Sequence, residues 1–180
     1  LNDFDDTTLS GNVAIRNQGD GFEINGFIDG VIEKNLARDN GDEGFELDDI
    51  DDSLISGNRA FTNARDGFDI DGGSETTDLI KNVAKGNDGD GFDIDGDSAT
   101  ITMVGNRAIR NRGTGIENDG GTDTTLEDNI MRGNRTDLAG AGDDDTDSDC
   151  TGSAGAATDL GGNVFSTGGF DTCVPKASDD

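Results

Sequence analysis

The chain is expected to fold as an all-β solenoid, and three observations point there. A six-residue unit recurs as Asp20-Gly21-Phe22-Glu23-Ile24-Asn25, Glu43-Gly44-Phe45-Glu46-Leu47-Asp48, Asp66-Gly67-Phe68-Asp69-Ile70-Asp71 and Asp90-Gly91-Phe92-Asp93-Ile94-Asp95. A degraded fifth copy runs from Thr114 to Asp119, and the glycines of the five copies are 23, 23, 24 and 24 residues apart. A fixed period in this range marks a repeat whose apolar face is buried only against its neighbours. Between copies a second pattern recurs, L-x-x-N-x-A-x-x-N. The composition, rich in Asp and with 29 Gly, disfavours helix.

In chain order, Leu1 takes the slot of Ile24 and Leu47, and Phe4 that of Phe27 and Ile50. The chain therefore starts inside a repeat, with an open solenoid end that further protein upstream or another molecule would cover. Leu1 and Phe4 are the candidate assembly residues. Each Gly-Phe-acid-aliphatic strand leads through a polar bend to a short apolar stretch whose inward residue is Leu9, Ile32, Ile55, Leu79, Met103 or Leu126. Three positions on come Asn12, Asn35, Asn58, Asn82, Asn106 and Asn129. The small residues Ala14, Ala37, Ala60, Ala84 and Ala108 follow, and then Asn17, Asn40, Asn63, Asn87, Asn111 and Asn134. Three short strands per turn, stacked at about 4.8 Å, make about six turns. The Asn columns are expected to hold corners, by bonding the copies above and below and by taking the left-handed backbone conformation. After Asn134 the repeat decays. Residues 136–180 are read as an acidic loop and C-terminal cap, with Leu160, Val164, Phe165 and Phe170 over the last turn and a Cys150–Cys173 disulfide closing it. Two cysteines are compatible with an oxidising compartment.

The two Asn columns and the Gly-aromatic strand start resemble the right-handed parallel β-helix superfamily, the pectate-lyase-like solenoids, over residues 1–135. The resemblance implies a right-handed coil. It is weaker for activity, because the superfamily holds lyases, hydrolases, tailspikes, adhesins and structural proteins. It also implies that enzymes of this kind work on the sheet starting at the Gly-Phe step, through Ca²⁺ with an Arg or Lys base or through clustered Asp. On this chain such a cluster would be Asp69, Asp71, Asp93 and Asp95.

With 40 acidic and 13 basic residues the net charge is −27. Such a surface repels nucleic acid and anionic membranes and attracts cations, and no apolar run is long enough to span a bilayer. Two outward columns, Glu23-Glu46-Asp69-Asp93-Glu117 and Asn25-Asp48-Asp71-Asp95-Asp119, would stack like charges one turn apart. At that spacing neighbours repel by about 0.9 kcal/mol even in water. Such a face calls for high salt, proton uptake or Ca²⁺, the hard cation that oxygen ligands suit. The alternating run Asp143, Asp145, Asp147, Asp149 is a second candidate Ca²⁺ site, although it lacks the Gly and distant Glu of an EF-hand. A third feature is the outward column Ile15, Arg38, Phe61, Lys85, Ile109, Arg132, where lateral packing against another rod is one reading and ordinary surface the other.

Catalysis finds less support. The acidic columns repeat in nearly every turn, and there is no His for proton transfer and no Trp or Tyr to stack on sugars. The expected function is a non-catalytic extracellular or cell-surface solenoid (stalk, adhesin segment or filament subunit) with a cation-binding face. Its expected partners are copies of itself, head to tail, and upstream turns of a longer chain. The alternatives are the C-terminal part of a polysaccharide lyase or hydrolase, and a glycan- or Ca²⁺-binding module.

Overall fold

The computed structural model describes residues 2–94, 98, 100–118, 123–140 and 158–165, the side chains of 2–4, 136–140, 158–159 and 165 apart. Within these residues the regular structure is entirely strand, in three parallel sheets of seven strands each. Sheet A holds Asn2–Asp5, Phe22–Ile28, Phe45–Asp51, Phe68–Asp71, Phe92–Ile94, Thr114–Asn118 and Thr136–Gly140. Sheet B holds Thr8–Ser10, Val31–Glu33, Leu54–Ser56, Asp78–Ile80, Thr102–Val104, Thr125–Glu127 and Thr158–Gly161. Sheet C holds Val13–Ile15, Leu36–Arg38, Arg59–Phe61, Val83–Lys85, Arg107–Ile109, Ile130–Arg132 and Val164–Phe165. The chain visits A, B and C in rotation, so every strand pairs with the strand one turn away.

The register is the one the repeat predicts. Phe4 pairs with Phe27, Phe22 with Phe45, Phe68 with Phe92 and Ile70 with Ile94. Strand alternation then sends Phe45, Leu47, Phe68, Ile70, Phe92 and Ile94 into a fully buried interior. The rings of Phe22, Phe45, Phe68 and Phe92 form one face-to-face column with centroids 4.9, 4.7 and 4.9 Å apart. That geometry follows from strand spacing, since identical residues in register stack at the rise of the coil.

Both Asn columns are ladders. Asn82, wholly buried, accepts the backbone N–H of Asn58 at 2.9 Å and its Nδ2 at 3.1 Å, and donates its own Nδ2 to the Ile55 carbonyl at 2.8 Å. The same bonds recur at Asn35, Asn58, Asn106 and Asn129, and the second ladder runs through Asn40, Asn63, Asn87 and Asn111. One part of the expectation is corrected. No ladder Asn has a positive φ; the left-handed residue is the one before it. These residues are Gly11, Lys34, Gly57, Lys81, Gly105 and Asp128 at the first corner, and Arg16, Asp39, Thr62, Gly86, Arg110 and Gly133 at the second. The corner thus divides its labour: one residue makes the turn, and the next, facing inward, satisfies the backbone groups that the turn leaves without sheet partners.

The first ladder also reaches beyond the decay of the repeat. Asn129 donates its backbone N–H at 2.8 Å and its Nδ2 at 3.1 Å to Asn163 Oδ1, and Asn163 Nδ2 donates to the Leu126 carbonyl at 3.0 Å. Leu160-Gly161-Gly162-Asn163 is therefore a further copy of L-x-x-N, set off by 34 residues. It is an imperfect copy: the pairing slips between Leu126 and Glu127, so Glu127 meets Gly161, and Leu160 is 49% exposed rather than packed over the last turn.

Candidate functional site

The acidic face lies on the outer side of sheet A. Register pairs Glu23 with Glu46, Glu46 with Asp69, Asp69 with Asp93 and Asp93 with Glu117. The next outward column pairs Asn25 with Asp48 and Asp48 with Asp71. Of the four Asp residues named for catalysis or metal binding on this sheet, Asp69 and Asp93 are neighbours. Asp71 is set apart, exposed and beside Asp48, and its carboxylate accepts the N–H of Gly72 at 2.6 Å. Asp95 lies outside the described residues, as do Leu1, Asp143, Asp145, Asp147, Asp149, Cys150 and Cys173 and the side chain of Phe4.

A further acidic column, not singled out from the sequence, completes the site. It is the residue that opens each repeat unit: Asp20, Glu43, Asp66 and Asp90. Three of these carboxylates reach forward to the next turn. Asp20 Oδ1 accepts the backbone N–H of Glu43 at 3.0 Å, Asp66 that of Asp90, and Asp90 that of Thr114. Just beyond this position the chain is tight. A Cβ on Gly67 would lie 2.6 Å from the Gly91 carbonyl oxygen, 2.7 Å from Ala84 Cβ and 2.8 Å from Asn87 Nδ2. Only glycine lets the strand start this close to sheet C, and that closeness holds the opening acid against the column of Glu46, Asp69 and Asp93.

Two carboxylate columns therefore face each other, and oxygens converge between them. One atom each from Asp20, Glu23 and Glu46 lie mutually within 4.8 Å, as do atoms from Glu43, Asp66 and Asp69. Burial with little compensating positive charge drives these groups toward the protonated form. Desolvation first, then the charge of Asp90, Asp66, Asp69 and Glu117, pushes Asp93 up to about 9. Desolvation and the neighbouring Glu117 push Asp90 up to about 8, and desolvation with Asp20 pushes Glu46 up to about 7. Asp66, Asp48 and Glu43 are raised too, in each case chiefly by desolvation. One oxygen of Asp93, Oδ1, is buried with no hydrogen-bond donor in reach. At the edge of the column Arg65 lies 3.3 Å from Glu43 and 3.7 Å from Asp42.

Converging carboxylates of this kind have two chemical uses. Anionic, they supply the all-oxygen donor set of a hard divalent cation, whose own charge removes the repulsion. Protonated at neutral pH, a buried carboxyl is a hydrogen-bond donor and general acid.

A family model described as "right handed beta helix region" matches residues 1–135. No curated protein matches the chain. Among solved structures, the A-module of the Azotobacter vinelandii mannuronan C-5 epimerase AlgE4 superposes with a TM-score of 0.74 at 22% identity, over 88% of this chain and 46% of that one. The double mutant of the periplasmic alginate epimerase AlgG superposes at 0.60 and 19% identity, over 92% and 49%. The chain thus spans about half the length of these structures, and at such identities the likeness is one of fold.

Proposed function

The chain belongs to the right-handed β-helix family, and from that premise we propose that it is an extracellular or periplasmic β-helical module whose sheet A binds divalent cations, Ca²⁺ foremost. The observation that carries this is the pair of oxygen triads, Asp20/Glu23/Glu46 and Glu43/Asp66/Asp69. They arise from two columns that repeat turn by turn, so the binding is multiple and graded along the rod rather than confined to one centre. Each bound ion offsets the desolvation and mutual repulsion that raise Glu46, Asp90 and Asp93, and so stiffens the coil. The role this serves is structural, in a stalk, surface segment or filament built of such turns. Calorimetric titration with Ca²⁺ at pH 8 tests it: several weak sites are expected, reduced in an Asp66→Asn/Asp69→Asn variant. Absence of heat in the wild type would sink the reading.

A second reading is favoured by one observation of its own. Asp90, Asp93 and Glu117 form a cluster of carboxyls two of which hold their protons at neutral pH, and the two proteins superposed above are named as epimerases of mannuronan and alginate. On that reading the chain is part of a polysaccharide-modifying enzyme, with Asp93 or Asp90 as proton donor. An assay on uronate polymers with and without Ca²⁺, comparing the wild type with Asp93→Asn, separates the readings: turnover lost in the variant would establish the enzyme.

A further inference from the structure

Sheet C carries the opposite charge, in a pattern that the single column noted in the sequence hides. Its strands present two outward positions per turn, on either side of the buried Ala column. Taken turn by turn from the second, these are Leu36/Arg38, Arg59/Phe61, Val83/Lys85, Arg107/Ile109 and Ile130/Arg132. Each of these five turns has one basic and one apolar residue, and the two swap columns at each step. The five basic side chains are exposed and the five apolar ones half-buried, and no strand of this sheet contains Asp or Glu. Arg38 has Asp39 at 3.5 Å, whereas Arg59, Lys85, Arg107 and Arg132 have no carboxylate within ion-pair distance among the described residues. The Arg59 guanidinium lies over the Phe61 ring, 4.8 Å from its centroid, an arrangement that holds the cation flat on the face. In a chain of net charge −27 this strip is the exception that calls for a partner.

We propose that sheet C docks a second copy of this chain, through that copy's sheet A. Charge complementarity and pitch both favour this occupant. The outward column Glu23-Glu46-Asp69-Asp93-Glu117 also advances one residue per turn over five turns; Glu46 and Asp93 are pushed toward the protonated form, so the charge the face offers comes from its other carboxylates. Because both ladders are cut from the same coil, they share one rise and stay in step along the whole contact. The half-buried apolar residues between the cations provide the area that charge alone does not. The interface joins unlike faces, so it is heterologous, and a pair leaves sheet A free on one rod and sheet C free on the other. It propagates side by side unless rotation closes the set. The strip is small: three-residue strands make it about 10 Å wide and five turns about 20–25 Å long. Even with its flanks it falls well short of the roughly 800 Å² per partner of a stable complex. The association is therefore weak, reversible and sensitive to salt.

Sedimentation velocity over a concentration series tests this. It is run in EDTA at about 0.1 M and about 1 M salt, where the Debye length falls from about 10 to about 3 Å. The wild type is expected to associate with concentration at the lower salt and to dissociate at the higher. The triple variant Arg59→Glu/Lys85→Glu/Arg107→Glu, altered only at exposed positions, is expected to associate at least about tenfold more weakly. Mixing it with a Glu46→Lys/Asp69→Lys variant should restore a complex between the two. A wild type that stays monomeric throughout, or a triple variant that associates like the wild type, would overturn the proposal. So would an absence of mixed complex from the two folded variants, or association that requires an added acidic glycan, which would make the strip a polymer site. With cations chelated, the outcome is independent of whether sheet A binds Ca²⁺.

Discussion

Asn82 receives two hydrogen bonds from the turn before it and gives its side-chain N–H both to that turn and to Asn106 of the next, all without exposure to water. Asn82→Ala strips partners from Asn58 N–H, Asn58 Nδ2 and the Ile55 carbonyl at once. The expected loss is about 2–4 kcal/mol of unfolding free energy, because buried polar groups left unmet cost more than the bonds were worth. Asn12, exposed in the first turn, should cost under about 1 kcal/mol when replaced by Ala, and chemical denaturation of both variants checks the contrast. Gly67→Ala brings a methyl group against backbone and Ala84. It should destabilise by about 1–3 kcal/mol through overpacking, while a lysine already occupies the left-handed corner at Lys81. These roles were unequally legible. The Asn columns stand out in the sequence because the interior admits one residue type there. The turning residues do not, because the corner faces solvent and accepts Lys34, Asp39, Thr62 or Arg110 alike.

At the scale of the element, sheet A is strained by its own charge and sheet C is not. Asp93, Asp90 and Glu46 have folded-state pKa values raised to about 9, 8 and 7. A carboxyl so raised holds its proton in the folded chain and loses it in the unfolded one between pH of about 4 and the folded value. The folded state then binds more protons, so stability declines as pH rises through that window. Asp93→Asn keeps the shape and removes the ionisation. In EDTA it should raise the melting midpoint at pH 8 and leave it nearly unchanged at pH 4, as scanning calorimetry at the two pH values would record. The outward columns that form this face follow from the period alone, since a strand alternates strictly. The convergence of Asp20, Glu43, Asp66 and Asp90 upon them does not. It depends on how closely the chain turns from sheet C into sheet A, a distance set by Gly67 and its equivalents packing on the Ala column rather than by any spacing in the sequence.

For the whole molecule, the solenoid distributes charge along its length instead of concentrating it. Acid on one sheet and base on another follow from a repeat whose positions are each copied turn after turn, and the alternation on sheet C required knowing that Arg59 and Lys85 occupy opposite flanks of the same buried column. The seventh strands of sheets B and C were obscured for a simpler reason: the 34 residues between Asn129 and Asn163 break the period, although Leu160-Gly161-Gly162-Asn163 carries the motif. The account's central claim is that sheet A is built to hold divalent cations, and the melting temperature across pH 5 to 9, with EDTA or with millimolar Ca²⁺, tests it most directly. The account predicts a midpoint that falls with pH in EDTA and is restored by Ca²⁺, with the gap between the two curves widening toward pH 9. Curves that coincide at every pH, or a midpoint in EDTA that climbs as the carboxyls ionise, would contradict it.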